Sequence, residues 1–338
     1  MPTDTGVRAD SSLGVVVTGP RRHRWPEVVA GIYAVATALA LLAWWLVGDT
    51  WWTTPVNLST FWWSLAGIPM LGLAVWRRRW VGAAALLLPT LVFVWSYGGL
   101  FLPSSRATEA DLTIATFNTW VRTPDADHVV ALAHDEDVDL LFVQEIFPSR
   151  ARELTDGLSD QLPHTWIGDA ADVGGVAVFS RYPIVDVRDV PAAGRSSRPT
   201  AVVTVDVDGQ LVQVASLHLT SPCPGCGSSI PSRLQFEVDA RRAEVDAVLD
   251  ALEPSVPAVV GGDFNSNDRA YPYRRFADAG FRDPHAEVGS GPGFTWPDTV
   301  GLVRIDWVLS RGLEPVGAWV GESGASDHRP VVVQLAFP

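Results

Sequence analysis

The sequence predicts an α/β (α+β) domain carried behind three membrane-spanning helices, and three observations predict it. Strand-like and helix-like runs alternate from residue 112 onward, too mixed for an all-β sandwich. Three long uncharged stretches precede residue 103. Short polar motifs stand at the ends of the strand-like runs.

Residues 1–24 are polar without a hydrophobic period, which predicts a disordered cytoplasmic tail. The uncharged stretches, 28–47, 57–76 and 80–102, place three transmembrane helices within residues 25–102. Each is about as long as the roughly 20 residues that cross a bilayer core. Pro69, Pro89 and several Gly interrupt them, as membrane helices tolerate. Ten of the fifteen Trp lie before residue 103, and Trp44, Trp45, Trp51, Trp52, Trp76 and Trp80 sit near stretch ends, where an aromatic belt forms. A cleavable signal peptide would explain the first stretch but not the other two.

Arginine sets the orientation. Arg21, Arg22 and Arg24 precede the first span, Arg77, Arg78 and Arg79 join the second to the third, and the remaining link carries only Asp49. The positive-inside rule then puts both Arg clusters in the cytoplasm and everything after the third span outside it. The chain has no Lys, and beyond residue 106 its 17 Arg face 34 Asp and Glu, a formal charge of −17. Proteins that grip nucleic acid without sequence preference normally show a basic face, so this balance disfavours nucleic acid as a partner.

A link at 103–111 leads into the domain at 112–338. Strands are predicted at 112–117 and 140–143, with helices at 125–137 and 149–159. A strand-rich middle covers 176–179, 184–190, 201–207 and 211–219, with Asp208-Gly209 as a hairpin signal. Residues 233–252 read as an amphipathic helix whose apolar face is Leu234, Val238, Val245, Val248, Leu249 and Leu252. Strands at 258–261, 304–309, 316–320 and 331–335 close the domain. Cys223 and Cys226 lie in a Pro/Gly-rich loop as Cys-Pro-Gly-Cys; outside the membrane such a pair favours a structural disulfide. A thioredoxin-type redox pair would open a helix after a strand, and a zinc site would need a second pair.

The motifs read Thr116-Phe117-Asn118, Gln144-Glu145, Ser216-Leu217-His218-Leu219, Gly262-Asp263-Phe264-Asn265, Arg304-Ile305-Asp306-Trp307 and Ser326-Asp327-His328-Arg329-Pro330. Carboxylates, amides and imidazoles gathered at strand ends suit hydrolysis of a phosphate ester with a hard divalent cation. Glu145 follows an apolar run as a strand-end oxygen donor. Alternation in an extended segment would send Asp263 and Asn265 to one side, although the local residues also fit an Asx turn. Arg198 precedes a strand and could reach a phosphate. His23, His128, His134, His164 and His285 match no motif and read as surface or core histidines.

In this order the motifs, joined by Gly175-Val176-Ala177-Val178-Phe179-Ser180-Arg181-Tyr182-Pro183, resemble the endonuclease/exonuclease/phosphatase superfamily over roughly residues 112–335. The resemblance implies a four-layer sandwich, two mixed β-sheets flanked by helices. It implies Glu145 as the direct ligand of Mg²⁺ or Mn²⁺, with Asn118 and Asp327 nearby. Asp263 would orient or deprotonate the attacking water, and Asn265 would hold a phosphate oxygen. Asp306 would fix the tautomer of His328, a base or phosphoryl-binding group, and His218 would stabilise or protonate the leaving oxygen. The layout also resembles membrane-anchored members found with glycopeptide resistance, which suggests a lipid-linked phosphate or pyrophosphate at the outer leaflet. A surface nuclease and a catalytically silent binding module are the alternatives.

Overall fold

The computed structural model describes residues 24–102, 109–120, 126–168, 174–193, 197–221 and 238–338. Four apolar helices come first: α1 (Trp25–Val47), α2 (Thr53–Leu58), α3 (Thr60–Trp76) and α4 (Trp80–Tyr97). Two of these segments, Trp25–Val47 and Trp80–Phe101, are long and apolar enough to cross a membrane. The stretch expected at 57–76 is instead broken at Ser59. Ser59 Oγ and Thr60 Oγ1 bond the carbonyls of Pro55 and Val56, ending α2 and leaving α3 with 17 residues. Gly67 lets α3 and α4 approach closely, since a Cβ there would lie 3.0 Å from Pro89 Cβ.

The rest of the chain is built on strands whose two faces go to different neighbours. These are β1 (Leu112–Asn118), β2 (Leu140–Ile146), β3 (His164–Ile167), β4 (Gly175–Ser180), β5 (Ile184–Val190), β6 (Thr200–Val207), β7 (Gln210–His218), β8 (Ala258–Asp263), β9 (Asp306–Arg311), β10 (Glu314–Val320) and β11 (Val331–Ala336). Order β10-β11-β1-β2-β4-β3 forms a six-stranded sheet and β5-β6-β7-β8-β9 a five-stranded one. β1 runs parallel to β2 and β7 parallel to β8, so both sheets are mixed.

Period-two alternation sorts the side chains. Leu112, Ile114, Leu140, Phe142, Val212, Val214, Val259 and Val308 fill the space between the sheets. Their neighbours Ala115, Phe117, Leu141 and Val143 meet α5 (Asp127–Asp135) and α6 (Pro148–Gly157). Ala215, Leu217, Val260 and Leu309 meet α7 (Asp239–Ala251) and α8 (Tyr271–Asp278). Helix, sheet, sheet, helix: the expected layers are present.

Within the domain, three of the described elements were not foreseen. β3 has only four residues at a sheet edge, while α8 and α9 (Pro284–Val288) are short helices with proline in the first turn. The helix expected at 233–252 is seen as Asp239–Ala251; Leu234 and the cysteine pair Cys223 and Cys226 lie outside the described residues. Arg304 turns out to be structural: it makes a buried bidentate pair with Asp283, both N···O distances 2.8 Å, and lies 4.0 Å over the Trp307 ring. This pins the segment leading into β9.

Beside that pair sits His285, buried, with Nδ1 lacking a partner and Nε2 3.1 Å from the Gly291 carbonyl oxygen. Burial first, then the charge of Arg304, pushes its pKa down to about 4. The unfolded chain therefore binds the proton more readily, near pH 6.5. The contribution of His285 to stability should be flat above that value and fall by about 3 kcal/mol as pH drops toward 4. Thermal midpoints of the wild type and of His285→Asn, compared between pH 7 and pH 4.5, should show the steeper acid loss in the wild type.

The helices and the domain meet at one end of the bundle, formed by the C-termini of α1 and α4 and the N-terminus of α3. Trp44 Nε1 donates to the Arg269 carbonyl at 2.9 Å, Trp62 Nε1 to Leu302 at 2.7 Å, and Arg269 Nη2 to Ser96 Oγ at 2.6 Å. Asp49, the lone acid of its link, is buried there, accepting from Asn57 and from the Tyr271 amide. The opposite end carries Arg24, Arg77, Arg78 and Arg79.

Candidate active site

The alternation that fills the inter-sheet core also builds the site. Following the same faces outward, Ile114 is succeeded by Thr116 and Asn118, Val214 by Ser216 and His218, and Val259 by Gly261 and Asp263. On antiparallel β9, Asp306 stands two positions before Val308. Register puts these ends level: Asn118 pairs with Gln144, His218 with Asp263, and Asp263 with Asp306. Below them Gln144 bridges the sheets, its amide nitrogen 3.1 Å from both Thr116 Oγ1 and Ser216 Oγ. The cleft changes from apolar to polar to ionised along its length.

All eight residues singled out from sequence come together here, and Asp263 Oδ2 is their hub. It lies 3.0 Å from Asn118 Nδ2, 3.3 Å from Asn265 Nδ2, 3.5 Å from His218 Nε2 and 3.9 Å from His328 Nε2. Asn118 Nδ2 is also 3.2 Å from Glu145 Oε1, and His218 Nε2 is 3.9 Å from the same oxygen. His328 Nδ1 sits 2.9 Å and 3.1 Å from the two Asp306 oxygens, which leaves Nε2 facing Asp263 and, at 4.0 Å, Asp327 Oδ1.

The backbone is held in uncommon conformations at this site. Glu145 adopts φ 59° at a bulge between Gln144 and Ile146, turning its carboxylate inward. Gly174 packs against it so closely that a Cβ would lie 2.8 Å from Glu145 Cα. Asn265 has φ 50°, and its amide N–H donates to Asp263 Oδ1 at 2.8 Å. Asn265 therefore reaches Asp263 through an Asx turn, not through continued strand alternation.

Charge and burial divide the ionisable groups. Burial above all, then the neighbouring charge of Asp306, raises Asp263 above the ordinary carboxylate range. Burial alone would lower His328, but Asp306 and then Asp263 outweigh it and raise the imidazole to about 10. Burial, followed by the charges of Arg198 and His328, holds His218 well below the usual histidine value. One histidine is thus kept charged and the other neutral.

The donor set fits a hard cation through the carboxylates of Glu145 and Asp327, and Asp327 Oδ1 is buried without a hydrogen-bond partner. Asn118 turns its amide nitrogen to Glu145 and Asp263, while its Oδ1 accepts from the Trp120 amide at 3.0 Å. Asp263, Asp306 and His328 also offer ligand-type atoms within 4.8 Å of one another. In that second group both Asp306 oxygens are engaged by His328 Nδ1, which suits an orienting pair better than a metal cage.

Sequence reasoning missed several supports. Glu244 on α7 is buried; its oxygens accept from the Thr220 amide at 2.9 Å, Thr220 Oγ1 at 2.8 Å and Ser197 Oγ at 2.9 Å. It fixes the segment after His218 and the approach of Arg198, whose charge acts on Glu145 and Asp263. Arg241 Nη1 donates to the Asn265 carbonyl at 2.8 Å. Arg241 and Glu244, with Val245 and Val248, fall on the buried stripe of α7, and charged residues in such a stripe were the available signal. Trp296 was also missed; its Nε1 lies 3.3 Å from Asp327 Oδ2.

The Endonuclease/Exonuclease/phosphatase family model matches residues 115–328, from the middle of β1 to His328. The chain belongs to the endonuclease/exonuclease/phosphatase family. Its members are phosphoester hydrolases, generally dependent on a divalent metal. A family member of known structure from Beutenbergia cavernae is 25% identical, with TM-score 0.55, covering 68% of this chain and 72% of that one. The fold is shared with an endonuclease/exonuclease/phosphatase from Bacteroides vulgatus (19% identity, TM-score 0.55, 67% and 99% covered). It is shared too with an AP endonuclease from Archaeoglobus fulgidus (18%, 0.53, 66% and 99%). Comparison with curated proteins returns no match.

Proposed function

We propose that this family member is a membrane-anchored Mg²⁺- or Mn²⁺-dependent phosphoesterase that hydrolyses a lipid-linked phosphate or pyrophosphate at the outer leaflet. Residues 25–102 form three spans, 103–111 the link and 112–338 the catalytic domain. The Arg-rich end of the bundle lies in the cytoplasm, and the catalytic domain lies outside it. The supporting observation is the rim of the cleft. Trp296, next to Asp327, and Val300 and Leu302 on the same loop are exposed, and the Leu302 carbonyl is held by Trp62 of α3. An apolar rim joined to apolar helices suits a substrate that stays in a bilayer. The formal charge of −17 beyond residue 106 opposes a polyanionic strand.

Glu145, Asn118 and Asp327 would hold the cation, which when bound supplies positive charge against the phosphoryl oxygens. Asp263 orients the attacking water or accepts its proton, and Asn265 holds a phosphate oxygen. His328, kept charged and pointed by Asp306, offers Nε2–H to a phosphoryl oxygen. His218, neutral and buried with Nε2 3.5 Å from Asp263 Oδ2, would stabilise or protonate the leaving oxygen. Arg198 adds a cation at the phosphate.

Phosphate release by the full-length protein in detergent with Mg²⁺ or Mn²⁺ tests this, with a polyprenyl pyrophosphate and duplex DNA offered side by side. Release from the lipid, lost in Glu145→Ala and His328→Ala, is expected. DNA cleavage with an untouched lipid would overturn the lipid assignment and favour a surface nuclease. Binding of either without turnover would point to a silent binding module.

A further inference from the structure

We propose that a groove between α1, α2 and α3 holds the hydrocarbon tail of the lipid whose phosphate enters the cleft; this rests on the lipid-phosphoester reading above. The groove encloses about 460 Å³ and no charged residue lines it. Pockets of about 300–1,000 Å³ are the usual size for holding a ligand. α4 packs against both α1 and α3. At the Arg-rich end the three helices close on one another through Ala30, Ala74, Ala83 and Leu86. The Tyr33 hydroxyl, donating to the Trp63 carbonyl, ties α1 to α3 at the groove itself.

Toward the catalytic domain the helices leave a gap, and residue size explains it. Ala36, Ala40 and Ala43 follow at spacings of four and three, so they share one face of α1 and make a shallow wall. Val56 and Trp63 form the wall opposite. From Tyr33 to Ala43 the groove follows α1 for about 15 Å at 1.5 Å per residue. It ends at Asn57, whose carbonyl accepts from Asn267 Nδ2 at 2.7 Å. Asn267 lies two residues beyond Asn265, on the loop that carries the Asp263–Asn265 turn. The apolar groove therefore ends against the contact between bundle and domain, and a chain lying in it directs its head group toward the side of the bundle that carries the catalytic loop. A small-residue wall, a closed inner end and this direction favour a substrate tail over an ordinary bilayer lipid.

The test uses the full-length protein in phospholipid nanodiscs and a long-chain polyprenyl phosphate with a photoactivatable group on its tail. Peptide mapping should place the label on residues 36–43 and on α3. Ala40→Phe, which fills the groove, should cut labelling about tenfold. Leu42→Phe, at an exposed position of α1, should not. Equal competition by excess phosphatidylglycerol would show that the groove takes any bilayer lipid, and label spread evenly over the outer helix faces would show that it takes none; each result overturns the inference. Lipid turnover without groove labelling would remove the groove alone. Groove labelling by a protein that hydrolyses no lipid would remove the phosphoesterase reading, and with it the link from groove to cleft.

Discussion

Glu145→Gln is expected to lower metal-dependent hydrolysis about 10³-fold, the scale of losing a principal charge-stabilising group, while the fold stays intact. Gln has nearly the same shape, so the bulge at Glu145 and the packing of Gly174 against it should survive. What disappears is one negative charge from the oxygen set that suits a hard cation. Three readings belong together: turnover of any phosphoester the wild type accepts, Mn²⁺ binding by calorimetry, and the thermal midpoint. Turnover and Mn²⁺ affinity should both collapse with the midpoint unchanged. Activity above a tenth of wild type would instead shift the cation to Asp263, Asp306 and His328, which lie within 4.8 Å of one another.

Gly262→Ala should be the most damaging single-methyl change in the domain. Gly262 has φ 143°, and a Cβ there would sit 1.9 Å from the Leu217 carbonyl oxygen of the neighbouring parallel strand. Relief requires β7 and β8 to part just where they carry His218 and Asp263. A cost above about 4 kcal/mol is expected, in the range reserved for a broken backbone contact in a core. Gly209→Ala is the control: φ is 93°, but nothing lies within 4 Å of the added Cβ, so only the backbone strain of about 1–3 kcal/mol remains. Thermal unfolding in detergent should rank Gly262→Ala far below Gly209→Ala. Similar midpoints for the two would show that β7 and β8 yield easily.

The cleft was legible because two-residue alternation carries straight through the core and out of its end. A reader who follows Ile114 to Asn118, or Val214 to His218, arrives at the site without knowing the fold. The Asp263–Asn265 pair was found for a partly mistaken reason: the strand stops at Asp263, and a turn with Asn265 at φ 50° makes the approach. β3 escaped notice because four residues are too few to display a period, and the break at Ser59 because side-chain bonds to the preceding carbonyls interrupt an otherwise apolar run. Glu244 showed in the sequence only as a charge on the apolar stripe of its helix. Its partners, Thr220 and Ser197, come from separate segments, so only the tertiary structure shows that its burial is satisfied.

The hydrogen bonds from Trp44, Trp62 and Asn267 across the junction do more than join two parts of the chain. A catalytic centre on a loose leash explores a volume, and its encounters follow bulk concentration. One mounted at constant elevation explores a plane. Set in a bilayer, such a centre would respond to how densely phosphates populate that plane, so diluting them among other surface molecules would slow it at unchanged total amount. The junction would then act as a height gauge, accepting head groups that ride at one level above the hydrocarbon and passing over those that ride higher or lower.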